Sequence, residues 1–331
     1  MKRRISVVLF FVFLCNFVLV SDLSINAAEQ TEQENVVAAD TEEKSSGRWM
    51  ESQWGWWYER EDGTWPVSQW ECVDGSWYYF DSWGLVYYGW LEYEGSWYYL
   101  GPDGYLFTDC WANLDGRWYY FDEDGTMHTG WLEYEDEWYY FKPAGFMLTG
   151  WVYSDGSYYY CDRTTGKLAY NQTVNGIWVD ENGIANLTWA SASYKIDTMI
   201  MADDIVDRYI DPTASTYSQM YSCYKYVEWY PYNQYRPLKP IMDTDYWDAQ
   251  FARDIFERGQ GCCVSEAAAL AYLFSELNIG TVYIDHDSGH AWTEVNGRYW
   301  DPLFAEAKGE HYLNMSPADY YTNRAPWWRE I

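Results

Sequence analysis

Residues 259–302 read GQGCCVSEAAALAYLFSELNIGTVYIDHDSGHAWTEVNGRYWDP, and this stretch decides how the C-terminal part of the chain folds. Gly259 and Gly261 break any regular pattern ahead of Cys262 and Cys263. From Val264 to Leu277 the chain is rich in Ala and Leu and has no Pro or Gly, which predicts a buried helix of about four turns. A cysteine at the start of such a helix meets outward-pointing N–H groups and the positive end of the dipole. Both favour a thiolate, and free N–H groups can also hold an oxyanion. Downstream, 281–284 is β-rich, and 290–295 and 298–303 flank Asn296-Gly297, the strongest short hairpin signal. A two-residue turn sets Val295 opposite Arg298, so that Trp292 faces Asp301 and His290 faces Leu303. Positions two apart share a face, which makes His290 and Asp301 diagonal neighbours within reach of each other. A thiol nucleophile needs a base, and the base needs a group to orient it; the stretch offers Cys, His and Asp in that order. His286, between Asp285 and Asp287, does not read as a metal site, because adjacent strand positions point to alternate faces.

Gly261-Cys262-Cys263 followed by Ala267, then His290-Ala291-Trp292, then Trp300-Asp301-Pro302, resembles the bacterial transglutaminase-like (papain-related) superfamily. The resemblance implies a cysteine-protease-like domain with Cys263, rather than Cys262, as nucleophile, His290 as base and Asp301 as its orienter. It implies a thioester, resolved by water in hydrolysis or by a lysine amine in cross-linking, with no metal and no cofactor. Trp247 or Gln260 is the candidate side-chain oxyanion donor, and His311 has no assigned role.

Ahead of this stretch the apolar residues fall at helical spacing. Met201, Ile205, Val206 and Tyr209 predict a helix over 197–210; Tyr217, Tyr221, Tyr224 and Val227 predict one over 215–229; Phe251 and Ile255 predict one over 245–257. Helices first and an antiparallel sheet later give an α+β domain, assigned to 187–331.

Further upstream the pattern changes. Trp70, Trp90, Trp111, Trp131 and Trp151 recur every 20 or 21 residues. A second series, Trp57, Trp77, Trp97, Trp118, Trp138, Tyr158 and Trp178, keeps step, as do Gly84, Gly104, Gly125, Gly145 and Gly166. A fixed period of this length marks a repeat architecture. Asp74-Gly75, Glu94-Gly95, Asp115-Gly116, Asp155-Gly156 and Asn175-Gly176 supply hairpin turns. One hairpin cannot bury enough surface to stand alone, so 48–186 reads as an all-β solenoid of stacked hairpins. Cys110, Tyr158 and Asn171 depart from the pattern, and the outermost units look like degenerate caps. Units such as Gly130-Trp131-Leu132-Glu133-Tyr134 through Trp138-Tyr139-Tyr140-Phe141 resemble the choline-binding, or cell-wall-binding, repeat. That family grips the choline of teichoic acids between aromatics of successive hairpins, where ring faces attract a quaternary ammonium. The expected cages are Trp70, Trp77 and Tyr99; Trp90, Trp97 and Tyr120; Trp111, Trp118 and Tyr140; and Trp131, Trp138 and Tyr160. Similar repeats bind glucans, so a glucan is the other candidate ligand.

The chain starts with Lys2, Arg3 and Arg4, an apolar run from Ile5 to Val20, and Asn26-Ala27-Ala28, which predicts a signal peptide over 1–28. The acidic, polar stretch 29–47 reads as a disordered tether. The net charge of −30 excludes nucleic acid as a partner, since phosphates would be repelled. Cys72, Cys110 and Cys161 fall singly at different repeat positions, which is no disulfide framework, and mostly free cysteines are expected. The resulting reading is a multidomain protein, secreted and attached to the wall of a Gram-positive type bacterium, with no membrane span after signal cleavage. Its partners are a cell-wall polymer and a protein or peptide substrate. The rival reading is a non-catalytic adhesin or wall-binding scaffold.

Overall fold

The computed structural model describes residues 46–187, 191–233, 244–287, 289–320 and 327–331; the expected signal peptide and all but the last two residues of the expected tether lie outside them. Two compact units are present, one of residues up to Ala112 with Phe121–Met127, the other of Asn113–Tyr120 with His128–Ile331.

Seven antiparallel hairpins carry the aromatic period: β1 (Arg48–Ser52) with β2 (Gly55–Glu59), β3 (Gln69–Val73) with β4 (Ser76–Phe80), β5 (Gly89–Tyr93) with β6 (Ser96–Leu100), β7 (Cys110–Leu114) with β8 (Arg117–Phe121), β9 (Gly130–Tyr134) with β10 (Glu137–Phe141), β11 (Gly150–Ser154) with β12 (Ser157–Cys161), and β13 (Gln172–Val174) with β14 (Ile177–Val179). In all but the first, which turns at Gln53-Trp54, the two-residue turns have both central residues at positive φ, as at Asp74-Gly75 (50° and 81°), the geometry that matches strand twist. Glu135-Asp136 adopts the same turn at 52° and 64° without a glycine.

Strand alternation sorts the rings. The last residues of β4, β6, β10 and β12 (Phe80, Leu100, Phe141 and Cys161) are almost wholly buried, while Trp77, Trp97 and Trp138, three positions earlier, face outward. Successive hairpins are tied by backbone hydrogen bonds. In the first unit Val86 N–H donates to Trp56 O, Leu106 to Trp77 O and Met127 to Trp97 O, at 2.8–2.9 Å. In the second, Met147 donates to Trp118 O, Leu168 to Trp138 O and Ala185 to Tyr158 O, at 2.7–2.8 Å. These bonds explain why a hairpin that would be marginal alone persists in the stack.

The second unit continues with α1 (Ala192–Tyr209), α2 (Thr216–Glu228), α3 (Trp247–Phe256) and α4 (Cys263–Glu276), then β15 (Val282–His286), β16 (Ala291–Val295), β17 (Arg298–Trp300), α5 (Pro302–Lys308) and β18 (Trp327–Glu330). The strands form one antiparallel sheet in the order β17-β16-β15-β18. Every residue of α4 from Ala267 to Phe274 has 0% exposure, because α1, α2, α3, β15 and β16 pack around it. A helix apolar on all sides belongs at such a centre. At its far end Glu276, whose side chain is 1% exposed, pairs at 2.6 Å with Arg163 from the loop after β12. Lys142, after β10, pairs with Asp203 and Asp207 of α1.

Two boundaries differ from the sequence expectation by three residues or more. α1 begins at Ala192, ahead of the expected Asp197. The strand expected to reach Leu303 ends at Trp300. The Asp301 carboxylate caps the next helix by accepting from Phe304 N–H, and Pro302 occupies its first turn, where a missing N–H costs nothing. Among the described residues no helix is long and apolar enough to cross a membrane, and no cluster of metal-ligating side chains occurs.

Candidate functional site

Cys262 is the N-cap of α4 and Cys263 its first residue, 3% and 5% exposed. The preceding glycine is required by packing: a Cβ on Gly261 would lie 2.3 Å from Ser265 Cβ. The Cys263 thiol donates to Cys262, which, with the Ser265 and Val264 N–H groups and the Ser265 hydroxyl, draws the Cys262 thiol down to about 6 against opposing burial. The same bond, followed by burial, holds the Cys263 thiol above its ordinary value. The lowering expected at the helix start therefore belongs to the pair, whose first proton leaves easily while the second is held. Cys263 sulphur in turn receives the N–H of Ala291, the residue after His290.

β16 and β17 pair in the register the Asn296-Gly297 turn dictates, Val295 with Arg298 and Thr293 with Trp300. His290 and Asp301, each just beyond a strand end, come together with Nε2 2.6 Å from Oδ2. This leaves Nδ1 as the imidazole nitrogen available to a thiol. Among the described residues neither cysteine is hydrogen-bonded to His290. Trp247 packs against His286 at 5.7 Å, while Gln260, beside the thiol loop, accepts from Asn233 at 3.0 Å.

Three further residues shape the site without any motif to announce them. Tyr320, 6% exposed, donates its phenol to the Asp301 oxygen that holds His290. Burial and then the Asp301 charge push that phenol far above its ordinary value, so it stays a donor. Phe304 stacks on the imidazole at 4.3 Å and 13°. Glu266, one turn into α4 and 3% exposed, has an oxygen with no partner; burial, and then Glu306, Asp301 and Cys262, push its carboxyl up to about 8. Only Glu266 lies inside the stretch whose spacing is informative. Tyr320 is brought in by tertiary folding from 19 residues beyond Asp301.

The repeat rings divide into two classes. The first-series tryptophans join hairpins. Trp70 contacts Tyr79 of its own hairpin at 5.3 Å and Tyr98 of the next at 5.2 Å; Trp131 contacts Tyr140 at 5.0 Å and Tyr159 at 5.1 Å. Its indole N–H donates to Ser154 at 3.2 Å. At Trp70 and Trp131 the third ring is thus displaced by one residue from the expected one. Tyr99, Tyr140 and Tyr160 lie directly opposite Trp90, Trp131 and Trp151 within their own hairpins; from the next hairpin Tyr98 and Tyr93 reach Trp70, and Tyr159 reaches Trp131. Tyr120 is buried against His128 and Tyr134. Alternation is the cause, since neighbouring strand residues face opposite ways.

The second series is exposed: Trp77 48%, Trp97 42%, Trp118 43% and Trp138 36%. In register, the first hairpin contributes Trp56, opposite Glu51, and not Trp57. Glu92 stands directly across from Trp97, and Glu133 across from Trp138. Trp90 lies 6.2 Å from Trp97 and Trp131 6.4 Å from Trp138, each near-perpendicular, so two rings and a carboxylate gather at each position. Trp57, Trp65 and Trp83 line a further cavity of about 260 Å³ in the first unit.

Residues 67–111, 107–144 and 134–172 match the choline-binding repeat family. Over these residues the hairpins are similar to choline-binding repeats. Among solved structures the chain is similar to CbpJ from Streptococcus pneumoniae TIGR4, at 36% identity over 42% of this chain and 47% of that one, with a TM-score of 0.39. It is similar to choline binding protein F from Streptococcus pneumoniae at 37% identity over 42% and 47%, TM-score 0.39. A third is the multimodular pneumococcal cell wall endolysin from phage Cp-1 complexed with choline, at 37% identity over 40% and 40%, TM-score 0.31. The chain spans a little under half the length of these structures. No curated protein matches it. The match to the choline-binding repeats ends at residue 172, so the thiol site lies outside it.

Proposed function

We propose that the chain is a cell-surface protein whose repeats hold it on a choline-bearing wall polymer and whose thiol site acts on amides there. The observation that carries the first part is the pairing of exposed Trp97 with Glu92 and of exposed Trp138 with Glu133. A quaternary ammonium gains charge attraction from both the ring face and the carboxylate, whereas a neutral glucan gains only hydrogen bonds from the carboxylate. Retention on choline-agarose, with elution by free choline and passage through a dextran column, is the expected result. Retention on dextran alone contradicts it.

For the C-terminal region the supporting observation is the His290–Asp301 bond beside a thiol pair at a helix N-terminus. In the reading favoured here, the proton shared by the pair passes to His290 and Cys263 attacks an amide carbonyl. The carbon–nitrogen bond then breaks as His290 returns the proton to the leaving amine, and a thioester remains on Cys263. Water releases a carboxylic acid from it; a lysine amine forms a new amide instead. Asp301, locked by Tyr320 and the α5 N–H, fixes the imidazole throughout. Intact-mass detection of an acyl adduct on the wild type and its absence on Cys263→Ser is the test; no adduct with any peptide or glutamine amide contradicts catalysis. The second reading is a wall-binding scaffold without catalysis. The missing Cys263–His290 hydrogen bond and the burial of both thiols favour it.

A further inference from the structure

α1 and α2 present a row of rings that neither the repeats nor the thiol chemistry uses. Tyr209, the last residue of α1, lies 5.4 Å from Tyr226 of α2. Tyr226 lies 5.4 Å from Tyr230, and their hydroxyls are bonded at 3.2 Å. Trp229 stands beside them with 84% of its surface exposed, a strong departure from how large aromatics are placed in a folded chain. Two cavities open on this face, of about 490 and 270 Å³. They share Tyr209 and Tyr226, and so form one elongated groove.

The lining selects the ligand class. Lys225, which borders one cavity, is paired with Glu228, and Arg208 borders the other together with Asp204 and Glu257, so the lining carries balanced charge and suits a neutral ligand better than an ion. A purely apolar partner would strip water from Arg208 and Asp204 and give no hydrogen bond in return. A saccharide meets both demands. The C–H faces of its rings lie on flat aromatics, and its hydroxyls exchange hydrogen bonds with the phenols, Ser222 and Asp204. Two cavities in series suit a strand of several sugars better than a single one.

The groove also leads to the thiols. Trp229 and Tyr230 run directly into the segment that edges the thiol loop. The Tyr230 ring packs on Gly259, Gly261 N–H donates to Pro231 O at 3.4 Å, and Asn233 N–H donates to Gly261 O at 2.5 Å. The Tyr232 phenol lies close enough to feel the charge of Cys263 and Cys262. We propose that the groove formed by Tyr209, Tyr226, Trp229 and Tyr230 binds an oligosaccharide strand and delivers an amide attached to it to Cys263. The delivery step rests on the thiol reading; the binding step does not.

The test uses the full chain with saturating choline, which occupies the repeats. Tetra-N-acetylchitotetraose and isomaltotetraose are the probes, representing an amino-sugar strand and a plain glucan, and saturation-transfer NMR with titration is the readout. The expected result is binding of one tetrasaccharide, weakened about tenfold in Trp229→Ala and in Tyr226→Ala, a loss of ~1.4 kcal/mol. Trp229 is so exposed that its variant keeps its melting temperature and choline retention. Cys263→Ser binds the saccharide as the wild type does, so a failure of the thiol chemistry leaves this result standing. Binding of neither probe, or equal binding by wild type and both variants, overturns the groove.

Discussion

The repeats and the thiol site use aromatic and acidic residues to opposite ends. In the repeats, a ring and a carboxylate across one hairpin are set out several times, at Trp56–Glu51, Trp97–Glu92 and Trp138–Glu133, on strands whose buried face is a separate set of residues. In the thiol site one carboxylate, Asp301, has 0% exposure and serves His290, Tyr320 and the start of α5 together. Where an interaction is repeated on a surface, each copy can be lost cheaply. Where several interactions converge on one buried atom group, function and stability fail together.

The largest expected effect comes from that convergence. Asp301→Ala strands the phenol of Tyr320 and the α5 N–H, and should cost about 3–5 kcal/mol in urea unfolding of the second unit, in the range for breaking a buried pair. A loss below about 1 kcal/mol would erase the contrast between the two regions.

Glu266 gives the next effect, through pH. Its carboxyl is raised to about 8 in the folded chain from an ordinary 4.5, so the native state binds the extra proton between those values. Its contribution to stability is therefore full below about 4.5 and lost as the pH rises through about 8. Glu266→Gln should flatten the decline across this window, measured as urea midpoints from acid to mildly alkaline pH. An unchanged slope shows that the carboxyl is solvated.

The smallest effect on stability is expected in the repeats. Trp97→Ala removes an exposed ring and should change unfolding free energy by less than about 0.5 kcal/mol, while lowering the choline concentration needed for elution. A large stability loss would mean that the outward rings are structural, like Trp131.

The sequence is most informative where local chemistry fixes geometry. His290 and Asp301 are legible as neighbours because Asn296-Gly297 permits one register. The repeat period is legible because each hairpin presents the same face. The equivalence of Trp56, rather than Trp57, to Trp77 is hidden because the first hairpin turns at Gln53-Trp54, which carries no turn signal. The place of Tyr98 rather than Tyr99 against Trp70 depends on how hairpins stack, which spacing alone leaves undetermined to one residue. Asp301-Pro302 is both the end of a strand pattern and a helix start, and the cap prevails because Phe304 N–H supplies the partner. Tyr320 is illegible for a plainer reason: its contact is made by the tertiary fold.

Iodoacetamide labelling with peptide mapping at neutral pH, comparing Cys263 with Cys72 in the wild type and in His290→Ala, addresses the central claim most directly. Cys72 is an exposed thiol of the repeats and serves as the internal reference. The account predicts that Cys263, though buried, is alkylated faster than Cys72 in the wild type, because the imidazole takes the proton shared by the pair and leaves the thiolate on Cys263, and that His290→Ala removes this advantage and leaves Cys262 the more reactive of the two. Alkylation of Cys263 no faster than Cys72, or at the same rate in both proteins, contradicts it and leaves a wall-binding scaffold.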